Sequence, residues 1–130
     1  MHAELQTVTI DTTTAGTAYT GVVNGEVISI RYVKTDYATD PDFTITGETT
    51  GINIWTQSNV DASVTVCPRQ PTASQAGVAA LYGAGAAYAV NDRIVLANER
   101  IKIVVANGGT AKTGAFHVTI NGTFNGAAGY

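Results

Sequence analysis

A single cysteine, Cys67, stands in this 130-residue chain, so no disulfide can form within it. A lone thiol fits a reducing compartment, and a small buried side chain is its simplest use. No apolar run approaches the ~18 residues of a membrane-spanning helix, which gives no expectation of membrane association. An amino-terminal leader is not expected either: residues 1–10 alternate polar and apolar instead of forming an apolar block, and read as part of the fold. Charge is scarcer than usual. Charged residues make up 13% of the chain, against about 25% in ordinary soluble domains. The net charge of −3 leaves no electrostatic case for nucleic acid. Glycine, alanine and threonine occupy places where lysine and glutamate usually stand. A surface so bland suits a chain that is largely covered by something, a subunit of an assembly; a low-charge monomer is the alternative. No strong amphipathic helix is predicted.

What is present is alternation with a period of two. The most telling stretch runs from Glu99 to Ile120. Ile101, Ile103 and Val105 share one face, and so do Phe116, Val118 and Ile120. The glycine-rich segment between the two runs predicts a hairpin with a long loop. Upstream, 4–11 place Val8 and Ile10 together. Thr17 to Val23 form a short strand that ends at Asn24-Gly25, a strong turn pair. Residues 26–35 carry Ile28, Ile30 and Tyr32 on one face and Val27 and Val33 on the other, as in a covered central strand. Short strands follow at 42–46, 52–57, 63–67 and 93–96. Trp55 is expected to face away from Ile52 and Ile54, which makes it a candidate interface anchor. Eight or nine short strands at close spacing predict a single all-β domain over 1–130. It is an antiparallel β-sandwich, with a jelly roll as the first choice and a simpler sandwich as the second.

Two segments break the rhythm. Residues 68–91 open with Pro68, Arg69 and Pro71 and continue as a long stretch of small residues carrying Leu81, Tyr82 and Tyr88 and no charge. A loop of that length inside a compact domain is usually functional, and it reads as an extended arm lying on something; a surface loop with Leu81 packed inward is the other reading. Residues 121–130, with Phe124 and Tyr130, read as a tail that is loose unless docked on a neighbour.

No arrangement of side chains points to catalysis. Asp36, Asp40 and Asp42 lie close together but lack the spacing of a calcium loop, and a hydrogen-bonded turn explains them as well. His2, His117 and Cys67 are too few for a zinc site. Cys67 paired with His117 lacks a feature that lowers the thiol pKa. Ser29, Ser58, Ser63 and Ser74 occupy no nucleophile elbow. Gly83 and Gly85 have no phosphate-loop setting. The expectation is a non-enzymatic protein with no cofactor and no metal. Asn121-Gly122-Thr123 matches a glycosylation sequon but reads as a turn.

Four stretches, 25–34, 42–51, 54–58 and 100–114, resemble small structural proteins encoded beside the capsid genes of tailed phages and prophages. The resemblance extends from about Leu5 to Ile120. Its nearest functional family is the jelly-roll cement, or decoration, proteins of short-tailed phages of the Bordetella podophage type. It implies a protein made in the host cytoplasm that binds the outer surface of an icosahedral head. Its partner there is the major capsid protein, and it stabilises contacts between capsomers; no functional residues carry over, because the resemblance includes no residue motif to match. Residues 68–91, Trp55 and 121–130 are the expected contact regions, in a homo-oligomer that is a dimer or trimer. A carbohydrate-binding sandwich module built around Trp55 and a tyrosine, in a receptor-binding or head-fibre apparatus, is the alternative; a tail or neck component is a third.

Overall fold

Alternating sequences make strands, and here two strands run far longer than the turn signals predict. The computed structural model describes residues 1–86 and 88–130; Ala87, inside the predicted arm, lies outside the described residues. The chain runs as β1 (Ala3–Lys34), β2 (Asp42–Gly47), β3 (Asn53–Gln57), β4 (Val64–Val66), β5 (Gln70–Pro71), β6 (Leu81–Tyr82), β7 (Tyr88–Ala89), β8 (Asn91–Asp92) and β9 (Val95–Asn125), with one 3-10 turn at Ala84–Ala86. No α-helix occurs among the described residues.

β1 and β9 each bend and serve two layers. Residues 3–14 of β1 pair with 109–121 of β9, 16–26 pair with 95–105, and 22–34 pair with 114–125 on the opposite edge. β2 pairs with 101–106 and with β3, and β4 pairs with 30–32. One layer therefore reads 3–13, 110–125, 26–34, β4; the other reads 16–23, 95–105, β2, β3. Numbered in chain order, the eight stretches lie as 1-8-3-6 over 2-7-4-5. That is the jelly-roll order of a two-layer antiparallel sandwich.

The predicted hairpin at Glu99–Ile120 does not form. Residues 101–105 and 115–120 lie in opposite layers and pair with other strands. The glycine-rich stretch between them carries β9 over the edge of the sandwich, with positive φ at Asn107 (58°), Gly109 (88°) and Ala111 (55°). The face assignment stands, because Ile101, Ile103, Val105, Phe116, Val118 and Ile120 are all fully buried.

Asn24-Gly25 and Asn121-Gly122, both read as turns, meet each other instead. Gly25 lies opposite Gly122, and here β1 passes from its 95–105 partner to its 114–121 partner. Gly25 has φ 147° and Gly122 has φ 148°. A Cβ on Gly25 would lie 2.1 Å from the Asn121 carbonyl oxygen, and one on Gly122 would lie 2.1 Å from that of Asn24. Only glycine allows backbones this close.

The core between the layers is centred on Phe43. Its ring lies 4.6 Å from Tyr32, 4.9 Å from Phe116 and 5.6 Å from Trp55, each in an edge-to-face arrangement. Trp55 is 8% exposed, which corrects its expected outward orientation. The cause is a bulge: Ile45 pairs with Trp55 but Thr46 pairs with Asn53, so Ile54 is an extra residue. The alternation breaks there, and Ile54 and Trp55 both turn inward. Two tyrosines in this core differ in their hydroxyls. Tyr37 donates to the Ile10 carbonyl at 2.7 Å. The Tyr32 hydroxyl is buried with no partner among the described residues, and burial, with a smaller contribution from the Asp61 charge, pushes its pKa up to about 12.

Glu99 is 5% exposed and has a structural use. Its carboxylate accepts from the Thr49 amide (3.2 Å), the Thr50 amide (3.1 Å) and the Thr50 hydroxyl (3.1 Å), which pins the β2–β3 turn to β9. The C-terminal residues close the remaining gap. Tyr19 and Gly129 exchange backbone hydrogen bonds of 2.7 and 2.9 Å. The Tyr130 hydroxyl accepts from the Asp11 amide (3.0 Å) and donates to the Thr9 carbonyl (3.3 Å). Residues 121–125 belong to β9, so the segment expected to be loose is strand followed by a strap across the chain's own edges.

Two measurements test this account. Gly25→Ala is expected to cost roughly 2–4 kcal/mol in urea unfolding, whereas Gly51→Ala, with φ 72° in open space, costs about 1 kcal/mol. Tyr32→Phe is expected to be neutral or to gain about 1 kcal/mol by removing an unpartnered hydroxyl, while Tyr37→Phe loses about 1 kcal/mol.

Candidate interaction surface

The connection from β4 to β9 is the one long departure from the sandwich, and its own backbone holds it in shape. β5 pairs with β8, and β6 pairs with β7. Where these short ladders meet, Thr72 donates to the Val90 carbonyl (2.8 Å), Val90 to the Ala80 carbonyl (2.9 Å) and Ala80 to the Thr72 carbonyl (3.0 Å). The three amides close a ring. A further bond from the Thr72 hydroxyl to the Val90 carbonyl (2.9 Å) reinforces it. At the tip, Gly83 has φ 87°, and the Tyr88 ring lies so close that a Cβ on Gly83 would meet it at 2.6 Å. Tyr82 and Tyr88 stand with ring centroids 5.5 Å apart, tilted by 37°. The segment is an arm with internal structure, and small residues are what allow its strands to cross so tightly.

Its apolar side chains face outward. Leu81 is 49% exposed, Tyr82 58% and Tyr88 59%, so Leu81 is not packed inward. Val78 at 66% and Val90 at 39% join them, two residues the sequence reading did not single out. They are the remaining aliphatic side chains larger than alanine in the uncharged stretch, and that is the signal that marks them. Pro71 and Arg69 are exposed at the base, while Pro68 is buried there and its carbonyl accepts from the Arg69 guanidinium at 3.2 Å. The structure thus brings the Tyr82 and Tyr88 rings together and places Leu81 on the same β6–β7 ladder, opposite Ala89. It removes Trp55 to the core, packs Phe124 partly against it, and ties the hydroxyl of the otherwise exposed Tyr130 to β1.

The other candidates have plain structural roles. Asp36 accepts from the Thr113 amide (2.7 Å), and Asp42 accepts from the Asn59 amide (2.9 Å) and the Asn107 side chain (2.8 Å). The Asp40 amide donates to Asp61 (2.6 Å). A hydrogen bond to Asp61 holds the Asp40 carboxyl above its usual range, and the same contact holds Asp61 below it. Among the described residues, no group of three histidine, cysteine or acidic side chains is placed to hold a metal ion, and no pocket is formed. Cys67 is exposed, contrary to the expected buried thiol. Arg100 lies over the Tyr19 ring, 4.1 Å from its centroid, and pairs with Glu48; that bond holds Glu48 below the ordinary carboxylate range.

The sole tryptophan gives a direct check on the reassignment of Trp55. Its emission is expected to be blue-shifted and shielded from iodide, and Trp55→Ala is expected to cost about 3–5 kcal/mol. An exposed anchor would instead be quenched readily and lose less than about 0.5 kcal/mol.

No protein-family model matches the chain, and no curated protein is significantly similar to it in sequence.

Proposed function

We propose that this protein is a capsid cement, or decoration, protein of a tailed phage, bound to the outer surface of the head through the major capsid protein. The observation that carries the reading is the arm: five exposed apolar side chains on a segment, 70–91, without Asp, Glu, Lys or Arg, held out from a jelly roll. The resemblance of 25–34, 42–51, 54–58 and 100–114 to capsid-associated phage proteins supplies the setting. Such a role asks for no chemistry. It asks for a rigid body, a surface that tolerates being covered, and a contact repeated many times. Modest contacts repeated over a lattice add to strong attachment through effective concentration. A dimer or trimer of the chain would multiply them further.

The carbohydrate-binding alternative placed an aromatic platform at Trp55, and the burial of that ring takes away its centre. A tail or neck location differs from the capsid surface in copy number, so counting decides between them.

The test is cosedimentation of the purified protein with tail-free heads stripped of it. Hundreds of copies per particle are expected. A dozen or fewer would move the protein to a vertex, neck or fibre, and no binding would end the cement reading. Replacing 73–89 by Asn-Gly joins Thr72 to Val90 through a tight turn that the β5–β8 ladder accepts. That variant is expected to fold with an unchanged unfolding midpoint and to lose head binding; normal decoration by it would exclude the arm as the contact.

A further inference from the structure

We propose that the arm is an inserted anchor: Leu81, Tyr82 and Tyr88 enter an apolar, uncharged cleft on a partner protein. The inference rests on the reading of the arm as a contact region and adds the chemistry of the surface that receives it. Charge is the first argument. From Gln70 to Asn91 the chain has no Asp, Glu, Lys or Arg, so an ionised group facing the arm would be desolvated with no counter-ion supplied from it. The complementary surface is therefore one that buries apolar groups and carries no charge.

Size and shape supply the second argument. The five exposed apolar side chains offer on the order of 400 Å², about half of the ~800 Å² per partner in a standard stable interface. Laid flat against a second arm, they would make a contact of the size found in crystal packing. Inserted in a cleft, the same side chains are covered from several sides, as hot-spot residues are. The arm is built for insertion. The ring of bonds through Thr72, Ala80 and Val90 fixes its base, and the seating of Tyr88 on Gly83 fixes its tip, so little ordering remains to be done on binding.

A second copy of the chain is a poor receptor, because its described residues form no pocket. A bilayer is also a poor one. The chain's net charge of −3 opposes an anionic surface, and turn backbone at the tip would enter hydrocarbon with unmet hydrogen bonds.

The experiment places a photo-reactive benzophenone at the tip of the full chain, Tyr82→p-benzoylphenylalanine, and irradiates it in its native host. Leu5→p-benzoylphenylalanine, at an exposed site on β1, serves as the control. The expected result is one dominant adduct at position 82, absent from position 5, on a different protein. Mass spectrometry should place the joined residue in a segment free of Asp, Glu, Lys and Arg. Adding Leu81→Asp should reduce the adduct at least about tenfold, the effect of burying a charge. Raising salt from about 50 to about 500 mM should change its yield less than about twofold. An adduct on a second copy, on lipid or on a charged segment overturns the inference, and so does a yield no higher than at position 5. An adduct in a charge-free segment of a protein other than the capsid protein, lost with Leu81→Asp and insensitive to salt, upholds the anchor and ends the cement reading, so the two fail separately.

Discussion

The close crossing of Gly25 and Gly122 is the contact on which the architecture turns. Jelly-roll topology requires a strand that leaves one layer to be taken up by the other. In this chain a single strand, β1, does so without a break, by exchanging one β9 segment for another. The exchange needs the two backbones to approach within a distance that any Cβ would block. Asparagine precedes each glycine, and Asn24 makes itself useful by accepting from the Asn98 amide at 2.9 Å. A pattern that elsewhere ends a strand here lets two strands cross.

Once that crossing is made, the rest of the body follows from burial and from the closing of edges. The apolar faces of both layers meet around Phe43, and the bulge at Ile54 adds Trp55 to that cluster. Open strand edges invite pairing with other chains, and most of this molecule's edges are answered internally. The strap through Gly129 and Tyr130 covers the edges of β1 in both layers. β4 is only three residues long, β3 is bulged, and Glu99 pins the turn beside it. These are the features of a body that keeps its sheets to itself.

The arm departs from that pattern. It is stitched firmly at its base and still leaves its largest apolar side chains in water. Exposed apolar groups gathered on one projection mark a contact more often than a defect, and the absence of charge across the segment says what sort of contact. On the proposed reading, the jelly roll is the rigid carrier, the arm is the attachment, and repetition over a capsid surface supplies strength that one arm does not have.

The amino-acid sequence by itself determined which side of a strand is buried wherever the alternation runs unbroken; between Val27 and Ser29 a bulge buries Val27 with Ile30 and Tyr32 and leaves Ile28, expected on their face, only partly covered. Ile101, Ile103 and Val105, then Phe116, Val118 and Ile120, are fixed by a period of two that no packing arrangement alters. It also determined the all-β class, the two-layer architecture and the boundaries of the uncharged segment, because these depend on composition and local pattern. Tertiary structure decided whether neighbouring runs pair with each other or with distant ones, and so turned the expected hairpin at Glu99–Ile120 into two halves of one strand in opposite layers. It decided that Asn24-Gly25 and Asn121-Gly122 form a crossing, that a bulge turns Trp55 inward, and that the last residues strap the edges. The split of β9, the crossing and the strap each depend on partners tens of residues away or more, and the bulge depends on how β3 pairs with β2. Local periodicity records how a strand is oriented toward a core, but carries no signal for what lies across from it.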